Sequence, residues 1–470
     1  MIALVCGVLL KKVSRHGFRT VLVVLMVFAL YVLSVNAVFY TPYTIGAMAL
    51  ARSITSGSPY IEPWICFDRW ADVVYVNGRC VFAGPLGLGI VLAIPMKLAD
   101  VFNAKDLIVA GFAMAFLGSL SVYISAKLYE TIFGDSRRAI AVAILNGLAG
   151  PLYIYSTHVF PQAPLTLFYT LYILSLIKLC SKGGKPWAAL AGFSASMSIV
   201  LDPSTSIPIS FTSATVLAKT VRDYLKDRKS LLRIFTYVLI YIASISPVIV
   251  MQLIYNVYTT GSMFTFPEQI YLKRIGVEGF NLANIPYGLF ILLVDPRKSL
   301  LFLYPLYILA IIYMPKALKR LGPYEKIVYV ASIAIPILVY SSWYDVDGGL
   351  CYGPRFLTTI TPLLIAPLVL GLENRADLIV LAVLGLYSYV ENLVVVISTP
   401  YPSAIEYLKP FEIQLITAVN MFVEGTRSAY IYTVISEFLS EPIATAMSLA
   451  VLNILAGAIV ALAIYKAKQC

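Results

Sequence analysis

Runs of apolar residues, each close to the ~20 that an α-helix needs to cross a hydrocarbon layer, recur from one end of this 470-residue chain to the other. The pattern predicts an all-α polytopic membrane protein with about twelve spans, within a range of eleven to thirteen. They fall near Thr20–Phe39, Leu107–Tyr129, Ala139–Ser156, Pro164–Leu179, Trp187–Val200, Ile207–Ala218, Leu232–Leu253, Leu300–Tyr313, Ile327–Tyr340, Phe356–Leu372, Leu378–Ser398 and Ile443–Ile464. One further apolar piece, Leu86–Leu98, is short and broken by Gly87, Gly89 and Pro95, which predicts a juxtamembrane or re-entrant helix. No stretch between spans is long enough for a soluble domain, so residues 1–470 read as one integral membrane domain.

Charge sets the expected orientation. Lys11, Lys12, Arg15 and Arg19 precede the first span, which places the N-terminus in the cytoplasm. With Leu86–Leu98 not crossing, 23 of the 35 Lys and Arg residues fall inside, 17 of the 24 acids fall outside, and both termini are cytoplasmic. The outer face then carries a long first loop (40–106), segments 255–299, 341–355 and 399–442, and short turns at Thr157–Gln162 and Asp202. Within 399–442, FEIQLITAVNMFVEG is expected to form a helix lying on the outer surface. The opening MIALVCGVLLKK has its apolar run before its charges, the reverse of a secretory signal, and reads as a retained N-terminus.

Composition narrows the function. The chain is 60% hydrophobic and only 13% charged, with mean hydropathy +0.85. Its net charge of +11 is spread over short loops rather than gathered in one stripe, which argues against nucleic-acid binding. There is no Gly-rich phosphate loop, HExxH motif or paired CxxC. No internal repeat of the kind that marks many transporters is visible either. A plasma-membrane protein acting at its outer face is the expectation, with membrane lipids as its surroundings.

Candidate chemistry concentrates in the outer loops. Asp68 and Asp72 are four residues apart, so a helical turn there would put both carboxylates on one face. Partly desolvated carboxylates at a membrane boundary suit base catalysis; pairing with Arg69 or Arg79 would serve only the loop. Cys66 and Cys80 flank this acidic stretch, and an outer compartment would permit a disulfide between them; separate apolar thiols are the alternative. In SSWYDVDGGLCYGPRFL, Asp345 and Asp347 precede Gly348 and Gly349, which allow positive φ or close approach, and Gly353-Pro354 turns the chain to set Arg355 at the mouth of the next helix. A guanidinium among Trp343, Tyr344 and Tyr352 suits paired bonds to a phosphate. Glu268, Lys273, Arg274, Asp295, Arg297 and Lys298 form a third outer patch, His158 ends a span, and Glu391 lies within one. No spacing specifies a metal ion, although the outer carboxylates offer oxygen ligands for a divalent cation.

Taken in order, a basic N-terminus, a long outer loop with a small apolar insert, DVVYVNGRCVFAGPLGLGIVLAIP, YSTHVF, GSMFTFP, DPRKSLLFLYPLYIL and W…GG…YGPRFL…TPLL resemble the GT-C glycosyltransferases. The likeness is to prokaryotic members allied to the protein O-mannosyltransferases and the lipid A aminoarabinose transferases. It implies transfer of a sugar from a polyprenyl-phosphate donor to a lipid, protein or glycan hydroxyl on the outer face. The base would be an acid of the first outer loop, Asp72 or Asp68. Arg355, with Arg297 and with Asp345, Asp347 and His158 nearby, would bind substrate. Many relatives carry an acid directly after the first span, where SVNAVFYTPYT offers only Asn36. A flippase for lipid-linked glycans and a GT-C-like protein without catalysis are the competing readings.

Overall fold

The computed structural model describes residues 15–67, 72–227, 231–349, 351–372, 375–399 and 413–468. Asp68, Arg69, Cys6, Cys470 and positions 400–412 of the last outer segment lie outside the described residues.

Among the described residues, six helices are long and apolar enough to cross a membrane. Five are α1 (Asp106–Phe133), α2 (Gln162–Lys182), α3 (Leu231–Thr260), α4 (Pro323–Ser341) and α5 (Arg375–Ser398), and α6 (Glu441–Lys468) is the sixth. Leu232, Ile242, Leu386 and Ile454 project outward and are more than half exposed, an arrangement that suits hydrocarbon rather than water. Small residues let the helices close up: a side chain at Gly192 would press into the backbone at Tyr241 of α3.

Several expected spans are assembled from pieces, and each break has a local cause. The run expected at Ala139–Ser156 stops at Ala149, because Gly150-Pro151 interrupts the helical bonding before a short turn at Leu152–Tyr155. Asn392 answers the break by donating to the freed carbonyls of Leu148 (3.0 Å) and Gly150 (2.9 Å). Pro305 splits Leu300–Tyr313, and Pro362 and Pro367 divide Phe356–Leu372 into a 3-10 turn and two short helices.

The first loop is a compact unit. Thr41 caps the helix Pro42–Thr55, accepting from the Thr44 amide at 3.1 Å. From the far end of that helix Arg52 binds Asp106 (2.5 Å) and Asp100 (2.9 Å), tying it to the start of α1. Strands β1 (Val73–Val76) and β2 (Arg79–Phe82) form an antiparallel hairpin, the only sheet among the described residues. Asn77 and Gly78 both have positive φ, as a tight two-residue turn requires. Cys66 and Cys80 are joined in a disulfide. The expected helical turn through Asp72 is not formed at its C-terminal side, where β-branched Val73, Val74 and Val76 favour a strand. Leu86–Phe102 is helical, and it reaches the backbone at Val200 through Gly87, where any side chain would collide.

Candidate active site

A cavity of about 400 Å³ lies where the hairpin, the Asp202 turn, the helix Pro267–Arg274 and the Ser341–Arg355 loop converge. Asp72, Asp202, Glu268, Asp345 and Arg355 all line it, with Tyr43, Phe160, Trp343 and Phe356 supplying aromatic walls.

Asp72 is held by its backbone. Its amide donates to Pro42 O (3.0 Å) and its carbonyl accepts from Ala83 N (2.9 Å), so the residue is clipped between the first-loop helix and the end of β2. Glu268 sits in the first turn of Pro267–Arg274, whose start is secured by the Phe266 amide donating to Gln269 Oε1 (3.0 Å). Asp202 is already satisfied: Oδ1 accepts from Ser204 N (3.0 Å) and Oδ2 from the Tyr340 hydroxyl (2.8 Å). Among the described residues, the carboxylates of Asp72 and Glu268 have no hydrogen bond or ion pair.

Arg355 stands opposite these acids. Gly348 and Gly349 adopt positive φ, and a side chain at Gly348 would meet Arg355 Cγ at 3.1 Å, so glycine allows the guanidinium to lie along the loop. The charge rests over the Phe356 ring (4.6 Å) and, farther off, the Phe160 ring (5.7 Å), and Nη1 donates weakly to Cys351 Sγ (3.7 Å). No carboxylate pairs with it among the described residues, and its Nε is buried without a partner. Gln414 clamps the loop, accepting from Gly353 N (2.7 Å) and donating to Cys351 O (3.2 Å), while the Tyr155 hydroxyl donates to Tyr352 O (2.8 Å).

Crowding of acids in a desolvated space sets their protonation. Burial raises Asp72 above the ordinary carboxylate value, with Arg355 opposing. Burial, reinforced by Asp202, pushes Glu268 up to about 7 against the pull of Arg355. Burial and a hydrogen bond with Asp347 raise Asp345; Asp347 itself, despite desolvation, is held low by that bond and by Lys298. The cavity thus combines a cation without an ion-pair partner among the described residues with carboxyl groups, Glu268 among them, able to take or give a proton near neutrality.

The other expected site residues lie apart from the cavity lining. Arg297 grips Asp295, Nη2 to Oδ2 at 2.5 Å and Nε to Oδ2 at 2.9 Å, which occupies its fork. Asp347 is half exposed and faces Lys298 at 3.7 Å. His158 is buried, its Nδ1 within 2.7 Å of Thr157 Oγ1, and burial lowers its pKa to about 3, so it stays neutral. Its carbonyl accepts from Phe160 N (3.0 Å), shaping the turn that brings Phe160 to the cavity. No group of three His, Cys, Asp or Glu among the described residues is placed to hold a metal ion. Sequence reasoning placed Glu268 on the outer side but in a separate patch; FPEQ signals a helix start, and nothing linear connects it to Asp72 or Arg355.

The chain shares its fold with solved structures of multi-spanning GT-C glycosyltransferases. No protein-family model matches the chain, and no curated protein does. Among solved structures, the chain is similar to ArnT from Cupriavidus metallidurans bound to undecaprenyl phosphate, with TM-score 0.53 and 13% identity over 96% of this chain and 78% of that one. The apo form of the same ArnT gives 0.52 and 12% over the same shares. The arabinosyltransferase EmbB from Mycobacterium smegmatis gives 0.46 and 12%, covering 98% of this chain and 42% of that one.

Proposed function

We propose that the protein is a membrane glycosyltransferase that moves a sugar from a polyprenyl-phosphate donor to a hydroxyl of a lipid, protein or glycan on the outer face of the plasma membrane. The observation that carries this reading is Arg355, a half-buried guanidinium whose Nε is buried without a partner and which has no carboxylate partner among the described residues, facing Asp72 across one cavity. A buried charge held without a counter-ion is costly, and an anionic ligand offsets that cost. The shared fold with an ArnT crystallised with undecaprenyl phosphate supports a lipid phosphate as that anion.

In the reaction, Arg355 binds the donor phosphate through charge-assisted hydrogen bonds and stabilises it as it leaves. Asp72, raised by burial toward the working range, takes the proton of the attacking hydroxyl. The acceptor oxygen bonds to the anomeric carbon from the face opposite the phosphate, which inverts that centre. Asp68 remains the companion acid on the same loop. The carboxyl groups also offer oxygen ligands should a divalent cation accompany the donor.

The experiment is transfer of radiolabelled sugar from a panel of polyprenyl-phosphate donors by the full chain in lipid nanodiscs, with Asp72→Asn and Arg355→Ala alongside. Turnover by the wild type and silence of a folded Asp72→Asn supports the reading. Full turnover by both variants overturns the site assignment, and movement of label across a bilayer without transfer overturns the reaction.

A further inference from the structure

A second chamber, about 580 Å³, lies directly against the first. Pro203, Ser204, Glu268, Leu272, Phe280 and Trp343 line both and form the wall between them. That wall is rigidly built. Asn281 N donates to Ser342 O (2.8 Å) and Tyr344 N to Gly279 O (2.9 Å), so residues 279–281 pair with 342–344 like a strand. The Phe280 and Trp343 rings pack 4.6 Å apart, and a side chain at Gly279 would press into the indole.

The chambers differ in chemistry. Asp72, Asp345 and Arg355 line only the first. The second has aromatic and aliphatic surface from Phe266, Val277, Phe280 and Trp343, edged by Ser206, Gln269, Lys273 and Glu278. Glu268 is the one ionisable side chain lining both, and it has no hydrogen-bond or ion-pair partner among the described residues. A purely hydrocarbon occupant would leave Glu268 and the polar edge unused and partly desolvated. A pyranose matches better, because its C–H face lies flat on an aromatic ring while its hydroxyls reach outward to polar groups.

We propose that the second chamber is the acceptor subsite, that it takes the hydroxyl-bearing end of a glycan, and that Glu268 accepts a hydrogen bond from a hydroxyl adjacent to the one presented to the donor. This rests on the transferase reading above, since it needs a donor sugar in the first chamber. In-line displacement requires the nucleophile on the face of the sugar away from the phosphate. With the phosphate on Arg355, a hydroxyl arriving past Glu268 comes from the other chamber. The acceptor oxygen then bonds to the anomeric carbon and the carbon–oxygen bond to phosphate breaks with its electron pair going to phosphate. The proton of the attacking hydroxyl passes to Asp72, and Glu268 orients the acceptor through the neighbouring hydroxyl without changing its own protonation.

The test separates the two chambers by direct binding to the full chain in nanodiscs. Farnesyl phosphate probes the first chamber, measured by equilibrium binding; a panel of methyl disaccharide glycosides probes the second, measured by saturation-transfer difference spectroscopy. Ser206→Trp and Val277→Trp fill the second chamber from two sides, and an unchanged thermal unfolding transition serves as the check that each is folded. The expected result is at least tenfold loss of glycoside signal in either filled variant, with farnesyl phosphate affinity within twofold of wild type. Glu268→Gln is expected to keep farnesyl phosphate binding and weaken the glycoside. Loss of farnesyl phosphate on filling the chamber would mean an isoprenoid tail occupies it, and overturns the proposal. Absence of any glycoside signal in the wild type also overturns it. Failure of the transferase reading shows separately, as Arg355→Ala leaving farnesyl phosphate binding unchanged.

Discussion

The Tyr352 hydroxyl donates to Glu391 Oε1 at 2.6 Å, joining the loop that carries Arg355 to a carboxyl buried within α5. Both residues are almost fully buried, and the other Glu391 oxygen has no partner among the described residues. An acid that is costly inside a membrane protein is thereby spent on holding the Arg355 loop in place. Glu391→Ala strands the Tyr352 hydroxyl and should destabilise the protein by about 1–3 kcal/mol. Thermal unfolding in nanodiscs checks this, with Glu391→Gln, which keeps an acceptor, staying within about 1 kcal/mol of wild type.

Arg355→Ala should weaken farnesyl phosphate binding by tenfold or more, in keeping with the ~1.5–3 kcal/mol of hydrogen bonds to a charged group. It should cost little stability, because the guanidinium has no ion-pair partner to strand among the described residues. Arg355→Lys should recover only part of the affinity, since an ammonium cannot form the paired geometry.

Gly348→Ala should mimic loss of Arg355 while leaving the arginine in the sequence. Gly348 has φ +78°, and an added Cβ would meet Arg355 Cγ at 3.1 Å. The expected cost is about 1–2 kcal/mol from the left-handed backbone, together with a displaced guanidinium and reduced donor affinity. Equilibrium binding beside Gly349→Ala, whose Cβ meets only Asp345 Oδ2 at 3.4 Å, isolates the effect on Arg355.

Glu268 makes stability depend on pH. Its pKa rises from the ordinary 4.5 to about 7 on folding, so the folded protein holds the proton more tightly than the unfolded chain. Its stabilising contribution is complete below pH 4.5 and lost as the pH climbs through 7. Wild-type stability should therefore fall across that window more steeply than that of Glu268→Gln, as chemical denaturation at a series of pH values will show.

Cys66 and Cys80, 14 positions apart in sequence, close a loop that includes Asp72. Cys66→Ser should lower the stability of the first-loop unit by about 3 kcal/mol, from the lost restraint on the unfolded segment. Proteolysis should then cut near the hairpin, and transfer should drop because Asp72 depends on its backbone clips to Pro42 and Ala83.

Much of this was legible in the linear chain because it is local. Apolar runs marked α1, α2 and α6. Gly348, Gly349 and Gly353 do adopt the positive φ that glycine at those places allows. Continuous helices were overcalled at Ala139–Ser156 and Phe356–Leu372, where prolines outweigh hydropathy. Arg297 looked like a phosphate ligand because its own neighbour Asp295 reads equally well as surface charge until the two are seen joined. Glu268 and Asp202 reach the cavity only through long-range packing, which no motif spacing records.

The cavity's charged groups are drawn from Asp72 through Arg355, and the clamps on the Arg355 loop come later still, from Glu391 and Gln414. Synthesis delivers these parts in sequence, so a nascent chain that already presents its first loop and disulfide has no finished centre. The centre is complete only once Glu391 and Gln414, both in the last quarter of the polypeptide, have packed against the Arg355 loop.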